Sequence, residues 1–270
     1  MRLALATLVV LALASAFFKL SSGLSHFGVP PDPNNPALAG IQTPEVLLRG
    51  LSGASDNLLA RIYTREVRTP EQMKKADAVF KVELAKAANT LLKNVDIGSI
   101  PPSKAWEYGK VFIAARWWRE AKAALETAVS VAKNEDRRVN DNLQLARVMA
   151  ELGDVRGAVA RAGLVVNEGT KDTDTAPILP GTLLELVPAA EGKGADAELA
   201  RLLEEAIKCE NRTIVDAGTE PGAAFLLARP THIRNAWGKV IELFRSAGRL
   251  EEARAAEEKS VASKREQASA

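Results

Sequence analysis

The chain has 270 residues, 47% of them hydrophobic and 5% aromatic, and its 36 basic and 34 acidic side chains leave a formal charge of +2. This length and apolar content suffice for one elongated domain or two small ones. Ala, Leu, Glu, Lys and Arg dominate, a composition that suits packed helices and argues against a β-sandwich. The near-neutral charge argues neither for nor against a polyanionic partner, and we expect no nucleic acid to bind.

The first residues carry the features of an export signal. Arg2 supplies a positive charge, Leu3 to Phe18 is an uncharged run of 16 residues, and Ala14-Ser15-Ala16 is a small-residue cleavage site. We therefore predict a cleaved signal peptide at residues 1–16 and a mature protein in the periplasm or outside the cell. The alternative is an uncleaved anchor in which residues 3–18 tether the chain to a membrane, although a spanning helix needs about 20 residues.

A tether is predicted next, at residues 17–44. Ser, Gly, Pro and Asn crowd it, with Pro30-Pro31-Asp32-Pro33 at its centre. Proline fixes φ and removes a backbone donor, so the segment favours extended or disordered backbone. His26 lies here and is expected to be solvated rather than a ligand. The helical-repeat domain is then predicted to span residues 45–266.

Two Thr-Pro-Glu sequences mark helix starts, because Thr can cap a helix and Pro is favoured at its first position. After Thr43-Pro44-Glu45 we expect a short helix, an interruption at Ser52-Gly53 and a second helix over Asp56 to Glu66. Thr69-Pro70-Glu71 opens a helix that runs to about Asn94, with apolar residues recurring every three or four positions. This pair is either an unrecognised first repeat or an N-terminal cap.

The stretch from Ala105 to Val166, whose first helix Ser103 is predicted to cap, contains one helical hairpin written twice. Each residue of the first copy has a counterpart 37 residues later, and the spacing within each helix is helical. Large residues beside small ones let antiparallel helices approach closely, and Gly153-Asp154 supplies the turn of the second copy. The first copy is Tyr108-Gly109, Phe112, Trp118, Ala121, Leu125 and Ala128, and the second is Leu145-Ala146, Met149, Val155, Ala158, Ala162 and Val165.

At these residues the chain resembles the tetratricopeptide repeat family, whose motif places Tyr108-Gly109, Phe112, Trp118, Ala121, Leu125 and Ala128 at its large, glycine, aromatic and alanine positions. The resemblance implies an all-α fold, an α-α superhelix of antiparallel hairpins stacked in a short solenoid. Its clearest repeats would be residues 103–134, 139–167 and 231–264, and a fainter one lies around Leu199. The spacing is longer than the usual 34 residues, and the linker Lys133 to Asp141 lacks the usual terminal Pro.

The chain after the second repeat contains further predicted helices. Leu179 to Ala190 and Ala195 to Cys209 are apolar at helical spacing, and Ala223 to Ala228 forms a short helical piece. A new helix is expected to start at Pro230, and the closing helix runs from Leu250 to about Ser263.

Three side chains are candidates for binding a partner. Trp118 occupies a core position in the family motif, so its neighbour Trp117 must face another way and is the better exposed anchor. Trp106 adds to an unusual aromatic density, and aromatic anchors carry much of the energy of protein interfaces. Arg147 lies on the first helix of the second repeat, the helix that lines the concave surface in this family. The alternatives are core packing for the tryptophans and a solvated polar face for the arginine.

No catalytic, cofactor or metal residues stand out. Glu191-Gly192-Lys193-Gly194 lacks the glycine spacing and the Ser or Thr of a phosphate loop. Cys209 is the only cysteine, and His232 is the only base outside the tether with which it could pair. The adjacent Glu204 and Glu205 diverge by about 100° around a helix, so they cannot converge on one substrate bond.

These observations favour an exported, non-catalytic scaffold that binds a protein or peptide on its helical-repeat surface, with no cofactor and no small-molecule substrate. An envelope hydrolase is the alternative from another class. A membrane-tethered assembly factor is a third hypothesis, and it requires the N-terminal run to stay uncleaved.

Overall fold

A computed structural model describes residues 43–63, 69–133, 135–169 and 179–269. Throughout these ranges the regular structure is helical and contains no strand, which confirms the all-α prediction. The signal peptide at residues 1–16, nearly all of the tether and His26 lie outside the described residues. Ten α-helices are described: α1 Pro44–Ile62, α2 Pro70–Leu92, α3 Ala105–Ala115, α4 Trp118–Val131, α5 Glu135–Glu151, α6 Val155–Gly169, α7 Leu179–Ala190, α8 Asp196–Arg212, α9 Glu220–Ser246 and α10 Leu250–Ser269.

The chain divides into two compact units, with the division between Thr127 and Ala128, inside α4. The first unit contains α1 to α3 and most of α4, and the second contains the end of α4 and α5 to α10. None of the helices in the described ranges combines the length and the apolar character that crossing a membrane requires.

The predicted break at Ser52-Gly53 is wrong, because helix α1 continues unbroken from Pro44 to Ile62. Leu47, Leu51 and Leu58 are buried along one side of it, so the apolar stripe continues past the glycine. Burying a leucine contributes about 2 kcal/mol, more than the roughly 1 kcal/mol that a helical glycine costs. Gly50 also serves the packing, since an added Cβ would lie 2.9 Å from the Leu91 side chain of α2.

Helix α2 begins as the sequence predicts and ends two residues earlier than expected. The Thr69 hydroxyl accepts a hydrogen bond from the backbone N–H of Gln72 at 3.1 Å, and the Gln72 side chain accepts from the backbone N–H of Thr69 at 2.9 Å. This capping box satisfies two of the backbone donors left free at a helix start. Helix α3, by contrast, begins at Ala105 after a 3₁₀ turn at Pro102–Lys104 and has no side-chain cap, so the predicted cap at Ser103 is wrong.

The 37-residue register holds for the backbone of the two hairpins. Helices α4 and α6 begin at Trp118 and Val155, which are 37 residues apart, and the residues with positive φ in the turns before them, Arg116 and Gly153, have the same separation. The matching turn hydrogen bonds, from Trp117 N–H to Phe112 C=O and from Asp154 N–H to Met149 C=O, are both 2.9 Å long.

A third turn has the same geometry. Gly248 has φ of 71°, the N–H of Arg249 donates to the Phe244 carbonyl at 2.8 Å, and the N–H of Gly248 donates to the Arg245 carbonyl at 3.0 Å. This pair of bonds around a left-handed residue is the Schellman motif, which satisfies carbonyls at the end of one helix and reverses the chain. One turn type therefore joins α3 to α4, α5 to α6, and α9 to α10.

Within the second unit each helix packs against near neighbours in the chain. Each of the six helices packs against the next one in the chain, and in addition α5 contacts α7, α6 contacts α8 and α7 contacts α9. Alanine recurs on the buried faces, which lets the helix axes approach closely. The core draws on all six helices and includes Leu143, Ala146, Ala158, Ala162, Leu183, Leu186, Leu199, Leu203, Ala206, Trp237, Val240, Phe244 and Ala253.

The bounds of helices α7 to α10 agree with the predicted bounds in some cases and differ in others. Helix α7 has the predicted bounds, and α8 extends slightly beyond the predicted range to Arg212. The predicted break before Pro230 is wrong, because α9 is one helix of 27 residues with that proline inside it. Ile233, Ala236 and Val240 are completely buried or nearly so, and their burial offsets the roughly 3 kcal/mol that an internal proline costs. Helix α10 runs to Ser269, beyond the expected Ser263.

Candidate partner-binding surface

Trp117 is not the freely exposed anchor that the sequence suggested. Its side chain is half-buried, and its indole N–H donates a hydrogen bond to Asn89 Oδ1 of α2 at 2.7 Å. Its ring also stacks on the buried Phe112, with centroids 5.9 Å apart and an interplanar angle of 11°. Trp118, expected in the repeat core, is half-buried as well. The Trp117 side chain is therefore engaged in packing within the first unit.

The other two candidates also have intramolecular partners. Trp106 is half-buried, and the Lys110 ammonium lies 4.4 Å from the centre of its ring, within range of a cation–π contact. Arg147 of α5 donates to Glu185 of α7 at 2.6 Å, which ties together the first helices of two consecutive pairs. The two tryptophans belong to the first unit and Arg147 to the second.

Most arginines of the second repeat are paired. Arg137 lies 3.4 Å from the buried carboxylate of Asp141, and Arg161 donates to Asn142 Oδ1 at 2.7 Å. Arg156, on the first turn of α6, is exposed and has no hydrogen bond or ion pair within the described part of the chain. Its guanidinium is therefore the available cation on this repeat.

Arg156 lines a surface groove between α6 and α8 that has a volume of about 540 Å³. Four of the nine lining residues are small, namely Ala160 and Gly163 on α6 and Gly194 and Ala195 immediately before α8. Val159 and Leu202 add apolar surface, and Arg156, Glu198 and Arg201 supply the charges. A Cβ added at Gly163 would lie 3.6 Å from the Leu202 side chain, an ordinary van der Waals contact, so a side chain at this position would project into the groove without a clash. We call this feature the α6–α8 groove.

A smaller groove of about 280 Å³ lies between α8 and α10, and Arg201 lines both. Here the charges are paired: Arg201 donates to Glu252 at 2.8 Å, and Lys259 donates to Glu204 at 2.9 Å. The hydrogen bond to Arg201 lowers the pKa of Glu252 and, from the other side, raises that of Arg201. These bridges hold α8 to α10, whereas the α6–α8 groove has no ion pair across it in the described residues.

The adjacent carboxylates Glu204 and Glu205 have separate partners. Glu204 pairs with Lys259 of α10, while Glu205 pairs with Lys208 on its own helix at 2.5 Å. Burial raises the pKa of the Cys209 thiol, which keeps it protonated near neutral pH and makes it a poor nucleophile. No cluster of three or more metal-binding side chains occurs among the residues that the structure describes.

One buried carboxylate has no hydrogen bond. Glu210, in the last turn of α8, is 1% exposed, and neither of its oxygens has a hydrogen-bond partner. Its one recorded ion-pair neighbour within the described ranges is Nδ1 of His232 on α9, 3.4 Å away. Burying a polar group without a hydrogen bond costs a few kcal/mol, so this pair is an energetically unusual feature of the second unit.

Sequence reasoning missed both features. Nothing in the sequence distinguishes Arg156 from the other arginines of the second repeat, or Glu210 from the other acidic residues of α8. The groove forms because α6 lies beside α8, and Glu210 is buried next to His232 because α8 lies beside α9. The alanine and glycine run Ala158–Gly163 was the available signal for the first, and no local signal indicated the second.

The described residues therefore define an all-α protein whose helices pack against their neighbours. Comparison with known proteins finds no matching family model, and no curated protein or solved structure matches the chain.

Proposed function

We propose that this protein is an exported, non-catalytic scaffold that binds a segment of a partner protein in the α6–α8 groove. The observation that carries the proposal is a groove with four small lining residues and with Arg156, which has no hydrogen bond or ion pair among the residues that the structure describes. Small walls allow the backbone of a bound segment to come close, and a few charges can fix its orientation. This assigns binding to the second helices of the pairs rather than to Trp117, Arg147 or Trp106.

Apolar side chains in the groove support the same surface. Val159 and Leu202 line it, and Leu202 is half-buried. A bound segment would cover these side chains and gain roughly 25 cal/mol for each Å² of apolar surface removed from water. Arg156 and Arg201 would attract an acidic or carboxylate-bearing segment, and Glu198 would set its register.

We propose further that the hairpins are degenerate repeats of the tetratricopeptide type, stacked as a short solenoid. The shared Schellman turn and the packing of each helix in the second unit on near neighbours support this assignment. Export is proposed from the sequence features of residues 1–16, which places the partner in the periplasm or outside the cell. The N-terminal alternative, a membrane tether through residues 3–18, leaves the binding surface unchanged.

Site-specific photo-crosslinking tests this proposal. A photoreactive amino acid is placed at Ala160, in the groove, and at Gly238, an exposed position on α9. We expect one discrete crosslinked partner from position 160 when the mature chain is expressed in its own envelope, and none from position 238. The same products at both positions, or no product at position 160, would refute the groove as the binding site.

A pair of substitutions then tests the groove itself. Gly163→Met should fill the groove and reduce partner crosslinking at least tenfold. The control Gly238→Met also changes a helical glycine, but a Cβ there has no atom within 4 Å, so this variant should leave crosslinking unchanged. Both exchanges replace glycine by a better helix former, so both variants should remain folded, which circular dichroism will check. Equal crosslinking in the two variants would contradict the proposal.

A further inference from the structure

Helix α2 of the first unit presents lysines on the side that faces away from α1. Its inner side packs against α1, where the Tyr63 hydroxyl donates to the Asp77 carboxylate and the Tyr63 ring meets that of Phe80 edge-on. Successive helical residues are about 100° apart, so an arc of about 160° on the opposite side collects four lysines and three apolar residues, all exposed. We call these residues the α2 lysine face: Lys74, Lys75, Ala78, Val79, Lys81, Val82 and Lys86.

Few acidic side chains of α2 offset these lysines. Lys74 and Lys81 have no hydrogen bond or ion pair among the residues that the structure describes. The other two lysines of the face have partners on α2 itself, Lys75 with Glu71 at 3.2 Å and Lys86 with Glu83 at 2.7 Å.

The acidic groups on the helices packed against α2 do not neutralise the face either. Glu45 of α1 and Glu107 of α3 both lie within ion-pair distance of Lys104. Asp56 of α1 is exposed and forms no ion pair within the described ranges. The ammonium groups of Lys74 and Lys81 are therefore available to an external anion.

The first unit as a whole is basic. Residues 43–127 contain 14 basic and 10 acidic side chains, whereas residues 128–270 contain 20 basic and 23 acidic ones. The formal charge of +2 for the chain therefore combines a basic first unit with an acidic second unit. A net positive charge attracts anionic surfaces over about 10 Å in dilute salt.

The composition of the face favours a lipid surface over a carboxylate-bearing protein. It contains no arginine, and lysine is a flexible, point-like cation without the fixed fork that matches one carboxylate. Val79 and Val82 are 51% and 46% exposed, and Ile97 is the one other large apolar side chain exposed in the described part of the first unit. Apolar side chains between lysines can enter the headgroup region while the lysine stems extend toward the phosphates.

We propose that the α2 lysine face binds the first unit to an anionic lipid surface. Its lysines pair with lipid phosphate groups, and Val79 and Val82 insert among the headgroups. The proposal does not depend on the α6–α8 groove, which belongs to the second unit. In the membrane-tethered alternative, the first unit follows the anchor along the chain, so this face adds a second contact to the one at residues 3–18.

Vesicle sedimentation tests the proposal with residues 17–270, which include every residue that the structure describes and lack most of the apolar run. We expect this chain to bind vesicles of mixed phosphatidylcholine and phosphatidylglycerol at least tenfold more tightly than vesicles of phosphatidylcholine alone. Raising the salt from about 0.1 M to 0.5 M should weaken binding at least tenfold. Each lysine near an anionic surface strengthens binding about fivefold, so Lys74→Gln/Lys81→Gln should weaken it roughly ten- to thirtyfold.

The matched control is Lys133→Gln/Lys264→Gln. It removes two exposed lysines of the second unit that likewise have no partner in the described ranges, so it should bind like the unsubstituted chain. Val79→Ser/Val82→Ser should weaken binding at least threefold and leave its salt dependence unchanged. All these side chains are exposed, so the variants should remain folded, which circular dichroism will check.

Acetylation of lysines in the unsubstituted chain gives an independent readout by mass spectrometry. With anionic vesicles present, Lys74 and Lys81 should react at least fivefold more slowly, while Lys133 and Lys264 keep their rates. Equal binding to the two vesicle types, an equal effect of the two lysine variants, or unchanged acetylation of the face would each overturn the proposal. Protection by an envelope extract but not by vesicles would also overturn it, and would assign the face to an acidic protein.

Discussion

Arg116 and Gly153 occupy the same position in two copies of one turn, but only the second is a glycine. Arg116 has φ of 60° and is the one non-glycine residue with positive φ in the described ranges. A side chain in this conformation costs about 1–2 kcal/mol because Cβ approaches the following carbonyl. The two copies of the turn therefore allow the free-energy cost of a left-handed arginine to be compared with that of a left-handed glycine at the same position.

Replacing Arg116 by glycine should stabilise the chain by about 0.5–1 kcal/mol. Relief of the left-handed strain exceeds the extra entropy that glycine loses on folding, and the exposed Arg116 side chain has no hydrogen bond or ion pair within the described residues to lose. Gly153→Ala should destabilise it by about 1–2 kcal/mol for the same reason. Urea denaturation of both variants measures the changes, and a destabilised Arg116→Gly variant would show that its side chain makes a favourable contact.

Trp117 offers a second test, because its structural role and its predicted binding role have different consequences. Trp117→Phe keeps the ring stacked on Phe112 but removes the donor to Asn89, so we expect a loss of about 1 kcal/mol of unfolding free energy. Partner crosslinking at position 160 should not change. The matched variant Trp118→Phe, which removes no hydrogen bond recorded among the described residues, should cost less; equal costs would argue against the Asn89 bond.

Among the elements, α1 is joined to the turn before α3 by a small charge cluster. Lys104 donates to Glu45 at 2.5 Å and lies 3.4 Å from Glu107. The hydrogen bond from Lys104 lowers the pKa of Glu45, and that same bond raises the pKa of Lys104. Both paired side chains are more than a third exposed, so solvent screens much of their attraction.

Acid should weaken this connection. A carboxylate whose pKa is lowered on folding contributes stability above its ordinary value of 4.5, and this contribution is lost as the pH falls through the lowered pKa. Between pH 6 and 3 the Glu45→Gln variant should therefore lose less stability than the unsubstituted chain, by up to about 0.5 kcal/mol. Urea denaturation at low and at 1 M salt measures the difference, which should shrink in high salt. An identical acid profile in the variant would show that the pair contributes nothing.

Local sequence signals predicted where helices start and turn better than they predicted whether a helix continues through a glycine or a proline. The Thr69–Gln72 capping box and the Gly153 and Gly248 turns involve side chains and backbone within a few residues, so the chain itself reveals them. The breaks predicted at Ser52-Gly53 and Pro230 failed because burial across each position outweighs the local penalty. The strength of that burial depends on helices α2 and α8, which local reasoning cannot place.

For the whole molecule, the pattern of large and small residues predicted stacked helical hairpins, and in the second unit each helix packs against its neighbours in the chain. The candidate site could not be predicted in the same way. Trp117 was predicted to be exposed because it neighbours the core position Trp118, and Arg147 because it lies on the first helix of a repeat. Each is engaged by a side chain on a helix that is distant in sequence, Asn89 and Glu185. Arg156 remained available because no such side chain faces it among the described residues.

The sequence by itself determined the helical class, the 37-residue register and the turn positions, because each depends on spacing within a few helical turns. Only the tertiary structure decided which charges are paired, where a groove opens and that Glu210 is buried beside His232. Those outcomes depend on which helices become neighbours, and that choice is made by the summed burial of the whole core rather than by any local segment.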